Sequence, residues 1–177
     1  MSGGVRKALS YALSDADIRE CLGDDIKISI YPDLAKYSSI DDCFDKRGRA
    51  VLLYLTNSET SGHWVCMMKK NGCIEYFDSY GDAPEETKKY INPIKLNALN
   101  SAPNYLMALL ERSKYPVYYN THKFQSENGD VATCGRHIIT RLAYAPFSTE
   151  KYKSVIDSSG LTPDKFVCGF VYDKIRK

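Results

Sequence analysis

The stretch Gly62–Gly81, GHWVCMMKKNGCIEYFDSYG, constrains this chain more than any other. Two apolar runs of strand composition are split by Lys-Lys-Asn-Gly, and Asn-Gly between such runs is a strong hairpin signal. A four-residue loop over Lys69–Gly72 sets Met68 opposite Cys73 and His63 opposite Asp78. A two-residue Asn71-Gly72 turn sets Val65 opposite Asp78, with His63 on the diagonal. Side chains alternate faces with period two, so both registers put His63 and Asp78 on one face. Only a three-residue loop separates them. A carboxylate beside an imidazole fixes its tautomer and stabilises the imidazolium, which is what a general base needs. The competing reading is structural: a histidine at a strand end, and Asp78-Ser79-Tyr80-Gly81 as a turn.

A base needs a nucleophile. Thr133-Cys134-Gly135-Arg136-His137 opens a segment, Cys134–Tyr144, with Ile138, Ile139 and Leu142 at helical spacing. A thiol in the first turn of a helix sits at the positive end of the dipole, which favours the reactive thiolate. Gly135 leaves room there for a substrate backbone. Among the other cysteines, Cys66, Cys73 and Cys168 fall in predicted strands and read as core, while Cys21 and Cys43 have no partner histidine in sight. His137 shares a helix face with Cys134 but has no carboxylate nearby in sequence, so packing is its expected role. His122 has no partner either. Acyl transfer also needs a donor for the developing oxyanion. Gln125, in the polar loop before Cys134, is a candidate, with Asn120 and Asn128 as competitors.

The remaining chain supports one α+β domain over residues 1–177, a central mixed β-sheet flanked by helices. Predicted strands are Ile26–Tyr31, Ala50–Thr56, the two arms of the hairpin, Pro116–Asn120 and Lys165–Tyr172. Predicted helices follow a Ser14/Asp17 capping box up to Gly23, and cover Asn104–Arg112, Cys134–Tyr144 and Thr149–Asp157, with helical turns at Ser39–Phe44 and Pro84–Tyr90. The longest apolar run, Ala50–Leu55, is too short to span a bilayer, so no membrane contact is expected. The N-terminus has no sustained apolar stretch and reads as no secretory signal, which places the six cysteines, as thiols, in a reducing compartment. No Cys-x-x-Cys pair is present, so no metal is expected. Net charge is +2; residues 112–177 hold 11 basic against 6 acidic groups, without the dense run of a nucleic-acid binder.

With His63-Trp64, Tyr76-Phe77-Asp78-Ser79-Tyr80-Gly81, Gln125 and Thr133-Cys134-Gly135-Arg136-His137 in place, the chain resembles the adenain-like cysteine proteases, in a clan shared with the ubiquitin-like-protein proteases. The likeness spans roughly residues 15–142. The forms GHW, FDSYG and TCGRH are most similar to proteases of virophages, Polinton-type elements and large DNA viruses. The resemblance implies an adenain/ubiquitin-like-protease fold, with Cys134 as nucleophile, His63 as general base, Asp78 as its orienter and Gln125 as oxyanion donor. It implies that Trp64 shapes the site. One departure is that Gln125 lies nine residues before Cys134, against six or seven usual for the clan, so the intervening loop must bulge. The implied activity is thiol endopeptidase cleavage of viral capsid precursor polypeptides at small, glycine-rich sites during virion maturation, in the virion or host cytoplasm. No cofactor is implied; activation by DNA or a viral peptide, with weak DNA contact, is carried by family analogy alone. Two other readings are a ubiquitin-like-protein deconjugating protease and an inactive protease-fold capsid component.

Overall fold

The apolar run Ala50–Leu55 forms the centre of strand β2 (Arg49–Ser58). Val51, Leu53 and Leu55 enter one hydrophobic core, and Ala50, Leu52 and Tyr54 enter a second core on the opposite face. Burial on both faces is why the strand is an uninterrupted apolar run, not an alternation. The computed structural model describes residues 3–175. Strand β2 pairs in parallel with β1 (Lys27–Ile30) and antiparallel with β3 (Ser61–Lys70). Strand β3 pairs antiparallel with β4 (Cys73–Phe77), which pairs in parallel with β5 (Val117–Tyr119). The order is β1-β2-β3-β4-β5, a mixed sheet in an α+β fold.

The hairpin takes its two-residue register. Lys70 faces Cys73 and Cys66 faces Phe77. Asn71 and Gly72 have φ of 51° and 75°, the paired positive values of a type I′ turn. Asp78 is therefore the first residue beyond the paired part of β4.

The helices are α1 (Gly3–Ser10), α2 (Asp15–Leu22), α3 (Pro93–Ala98), α4 (Tyr105–Arg112), α5 (Cys134–Ala143), α6 (Thr149–Ser158) and α7 (Pro163–Tyr172). Helix α5 packs on the sheet face that carries Trp64, Cys66, Met68 and Phe77. The opposite face is covered by α4 and by 3-10 turns at Tyr31–Lys36 and Ile40–Cys43. Helix α2 begins with the expected capping box: Ser14 Oγ accepts from Asp17 N–H, and Asp17 Oδ2 accepts from Ser14 N–H.

The structure corrects one element. Lys165–Tyr172, expected as a strand, lies within helix α7, so Cys168 is a helical residue. Thr162 caps that helix and Pro163 occupies its first turn, a strong start signal. The buried positions Asp164, Val167, Cys168 and Val171 follow helical spacing. The 3-10 turn at Tyr31–Lys36 and the short helices α1 and α3 are additions to the sequence reading. No helix of the described residues is long and apolar enough to cross a membrane.

Candidate active site

Strand β3 and the end of β4 bring His63 and Asp78 together. His63 is 8% exposed and Asp78 fully buried. His63 Nε2 lies 3.0 Å from Asp78 Oδ1. The carboxylate is held in turn: Tyr80 N–H donates to Oδ1 at 2.7 Å, and the Thr87 hydroxyl to Oδ2 at 3.3 Å. Asn120 braces the Asp78 backbone, accepting its N–H at 3.0 Å and donating to its carbonyl at 2.7 Å. The Tyr80 ring stacks on His63 with centroids 5.0 Å apart and 25° between planes. With Nε2 taken by Asp78, Nδ1 is the ring nitrogen left for Cys134.

Cys134 opens helix α5, buried against the histidine. His63 and the N–H groups of Trp64 and Gly135 lie near enough to its sulfur to draw the thiol down. Burial pushes the thiol up, but His63, by hydrogen bond and charge, and then the two N–H groups outweigh it. The thiol ends below the ordinary range. Burial likewise opposes the imidazolium; the charge and hydrogen bond of Asp78, with Cys134 behind them, override it and hold His63 up to about 10. Both shifts favour one state, thiolate beside imidazolium. Burial is the leading cause of the upward shifts at Cys21, Cys43, Cys66 and Cys168.

Gln125 is 4% exposed. Its Oε1 accepts from Ser79 Oγ at 2.8 Å, which points Nε2 toward the Tyr80 hydroxyl at 3.1 Å and the Val131 carbonyl at 3.4 Å. The long loop does bulge: Ser126–Asp130 are exposed while Gln125 stays inside. Asn128 lies on that exposed loop, its Oδ1 accepting from Asp130 N–H, and Asn120 is committed to Asp78. Gln125 is thus the buried side-chain amide of the three with no role in bracing Asp78.

Trp64 is 5% exposed, and its Nε1–H donates to the Leu13 carbonyl at 2.9 Å. It pins the segment before α2 against the site. Gly135 has a packing role in the structure. A Cβ there would stand 2.9 Å from Leu13 Cβ, so the glycine lets α5 pack on Leu13. His137 is fully buried in the packing layer beneath Cys134, yet it has a carboxylate, Asp164 Oδ1, at 3.0 Å. His122 is exposed, its ring edge-on to Phe124. Tyr80, Thr87 and Ser79 are additions to the site; Tyr80 and Ser79 stood inside FDSYG, while Thr87 carries no sequence signal.

A buried thiol poised as a thiolate beside a protonated imidazole can attack an electrophilic carbonyl carbon and pass one proton to a leaving group. Among the described residues, no group of three or more His, Cys, Asp or Glu side chains is placed to hold a metal ion. A separate cleft of about 450 Å³, lined by Lys70, Glu75, Tyr118, His122 and Lys153 among others, includes none of His63, Asp78 and Cys134.

No protein-family model matches the chain. Over 161 residues, 88% of this chain and 91% of the relative, it is 37% identical to the uncharacterized protein V9 of Sputnik virophage. Among solved structures, the C-terminal Ulp1 protease domain, in complex with Smt3, the yeast ortholog of SUMO, aligns over 98% of this chain and 83% of its own at 15% identity, with a TM-score of 0.41. The central domain of the uncharacterized Lpg1148 protein from Legionella pneumophila aligns over 93% and 99% at 14% identity, with a TM-score of 0.40.

Proposed function

This chain belongs to the family of the uncharacterized protein V9 of Sputnik virophage, and for it we propose a thiol endopeptidase activity directed at viral precursor polypeptides. The observation that carries this reading is the buried His63–Asp78 pair beside Cys134 at the start of α5, with the thiol held down and the imidazole held up. The Cys134 thiolate attacks the peptide carbonyl carbon, forming the C–S bond and an oxyanion. His63 donates its Nδ1 proton to the leaving amine as the C–N bond breaks. Water then gives a proton to His63 and attacks the acyl-enzyme; the C–S bond breaks and the thiolate returns beside the imidazolium. Gln125 Nε2 serves the oxyanion by exchanging its Val131 carbonyl, the longer of its two contacts, for the substrate oxygen.

The substrate class, capsid precursors cut at small or glycine-rich sites during particle maturation, is supported by the resemblance of GHW, FDSYG and TCGRH to viral maturation proteases and by the virophage relative. The test is to incubate the protein, Cys134→Ala and His63→Ala with a virophage capsid precursor and follow its fragments. Native protein is expected to cut at glycine-rich positions and both variants to be inactive. Processing by the Cys134 variant sinks the mechanism.

A further inference from the structure

We propose that Asp164 is a positioning residue that holds Gln125 and Cys134 in one register by fastening the chain on both sides of the loop between them. The inference rests on the thiol-protease reading above and concerns α7, beyond residues 15–142, where the protease motifs lie.

The Asp164 carboxylate, in the first turn of α7, is 7% exposed. Its Oδ2 accepts the Ser126 N–H at 3.0 Å. Its Oδ1 accepts the Thr133 hydroxyl at 2.5 Å and His137 Nε2–H at 3.0 Å. Ser126 follows Gln125 directly. Thr133 precedes Cys134 directly, and His137 stands one helical turn beyond it. One carboxylate therefore grips the chain just after the amide, just before the thiol, and beneath the thiol's helix.

Thr133 is the N-cap residue of α5, a place where threonine ordinarily caps its own helix. Its side chain makes no such bond here and reaches across to Asp164 instead. The loop it closes is exposed over Ser126–Asp130 and held mostly by short-range contacts such as Val131 N–H to the Asn128 carbonyl. The inner end is also tied by the Ala132 N–H to the Leu9 carbonyl at 2.7 Å, and Asp164 is the group that joins that end to Ser126 on the far side of the loop. Three donors also explain why the acid, not the amide, fits. Asparagine offers one accepting oxygen: turned toward Thr133 and His137 it sets its NH2 against the Ser126 N–H, and turned toward Ser126 it leaves the His137 N–H facing an NH2 with no acceptor. Burial holds His137 below the ordinary histidine range despite Asp164, so its neutral ring donates through Nε2.

The test uses the full chain with Asp164→Asn, Thr133→Val and Thr133→Ser. Three quantities are measured: cleavage kinetics, melting temperature, and the pH profile of Cys134 alkylation by iodoacetamide, read by mass on the Cys134 peptide. Asp164→Asn is expected to lower kcat by about 10²-fold, the scale of an ångström's misplacement, with KM little changed. It also moves the acid limb of the alkylation profile upward. Thr133→Val is expected to do the same to a smaller extent, and Thr133→Ser, which keeps the hydroxyl, to recover most of the loss. Folded Asp164→Asn and Thr133→Val with native kcat and native alkylation profiles overturn the proposal. If Asp164→Asn does not fold, the threonine pair decides: equal rates and profiles for Val and Ser overturn it. Alkylation needs no peptide substrate. A native profile that moves in the variants, in a protein that cleaves nothing, sinks the protease reading and upholds the positioning role.

Discussion

Replacing Asp78 by asparagine separates charge from orientation in the His63 pair. Asp78 Oδ1 accepts both His63 Nε2–H and Tyr80 N–H, at 3.0 and 2.7 Å, while Oδ2 meets the Thr87 hydroxyl at 3.3 Å. An asparagine can put its single oxygen at the Oδ1 position and turn its NH2 toward Thr87, whose hydroxyl can accept. The bonds that orient the ring survive, and only the charge is lost. A hydrogen bond to a charged group contributes about 1.5–3 kcal/mol and a neutral one about 0.5–1.5, a difference of about 1–1.5 kcal/mol, close to tenfold. His63 then titrates about one pH unit lower. A less basic His63 also stabilises the thiolate less, so the Cys134 limb moves up as the His63 limb moves down. The thiolate persists above the His63 titration, so the change read in the alkylation profile is an upward move of its acid limb. Asp78→Ala differs: it strands His63 Nε2–H, Tyr80 N–H and the Thr87 hydroxyl in buried space at about 1–3 kcal/mol each. It should melt markedly lower, with turnover down at least another tenfold relative to Asp78→Asn. Iodoacetamide alkylation of Cys134 between pH 5 and 11 (~ steps of half a unit, fine enough to resolve a one-unit move) and thermal melts read all of this. Equal losses in the two variants, or an unmoved profile in Asp78→Asn, would refute the division into charge and orientation.

Tyr80→Phe keeps the ring on His63 but removes the oxygen that accepts from Gln125 Nε2. Losing one neutral bond of about 1 kcal/mol predicts a five- to tenfold fall in kcat, roughly, against about 10²–10³ for Gln125→Ala; a Tyr80→Phe loss as large as that of Gln125→Ala contradicts it. Gly135→Ala puts a methyl 2.9 Å from Leu13 Cβ, so overpacking should cost about 1–3 kcal/mol and lower the melting temperature by several degrees. An unchanged melt would mean that Leu13 yields freely. In a Cys134→Ala background His63 titrates against Asp78 alone. Asp78 raises the folded value of His63 by charge and hydrogen bond, so the stability that pairing confers is full at low pH and drains as pH rises through the higher of the two folded values. Denaturant titrations should therefore show Cys134→Ala exceeding Cys134→Ala/Asp78→Asn most at low pH, and a gap that widens with pH reverses the sign argued here.

The hairpin half of the site was legible because its logic is parity. Asn71-Gly72 names the turn, and period two carries His63 and Asp78 to the same face. The strand β2 and the cap of α2 were legible for similar reasons, each decided by residues within a few positions. Helix α7 was misread because Phe166, Val167, Phe170 and Val171 have strand composition. The better signal was positional: Thr162-Pro163 at the start and helical spacing at Asp164, Val167, Cys168 and Val171. The supports of the site were not legible at all. Thr87 and Asn120 meet Asp78, and Asp164 meets Ser126 and Thr133, from 9 to 42 residues away in sequence. Nothing local distinguishes them from any threonine, asparagine or aspartate at a loop or a helix start.

What sets Cys134 apart from the buried cysteines is compensation, since burial alone acts against a thiolate. Cys66 is at least as buried, in the same hydrophobic core, and its thiol is pushed up by that burial, though Arg141 pulls the other way. Cys134 meets the same desolvation but has a protonated ring made basic by Asp78 and two N–H groups aimed at the sulfur. The low-dielectric setting that penalises an unpartnered charge strengthens each of these compensating contacts. Reactivity here therefore depends on geometry more than on residue type. Opening the site to water would relieve the desolvation and weaken the ion pair together. That ties the proposed function to the packing around the thiol: Trp64 on the Leu13 carbonyl, Gly135 against Leu13, and Asp164 beneath the loop.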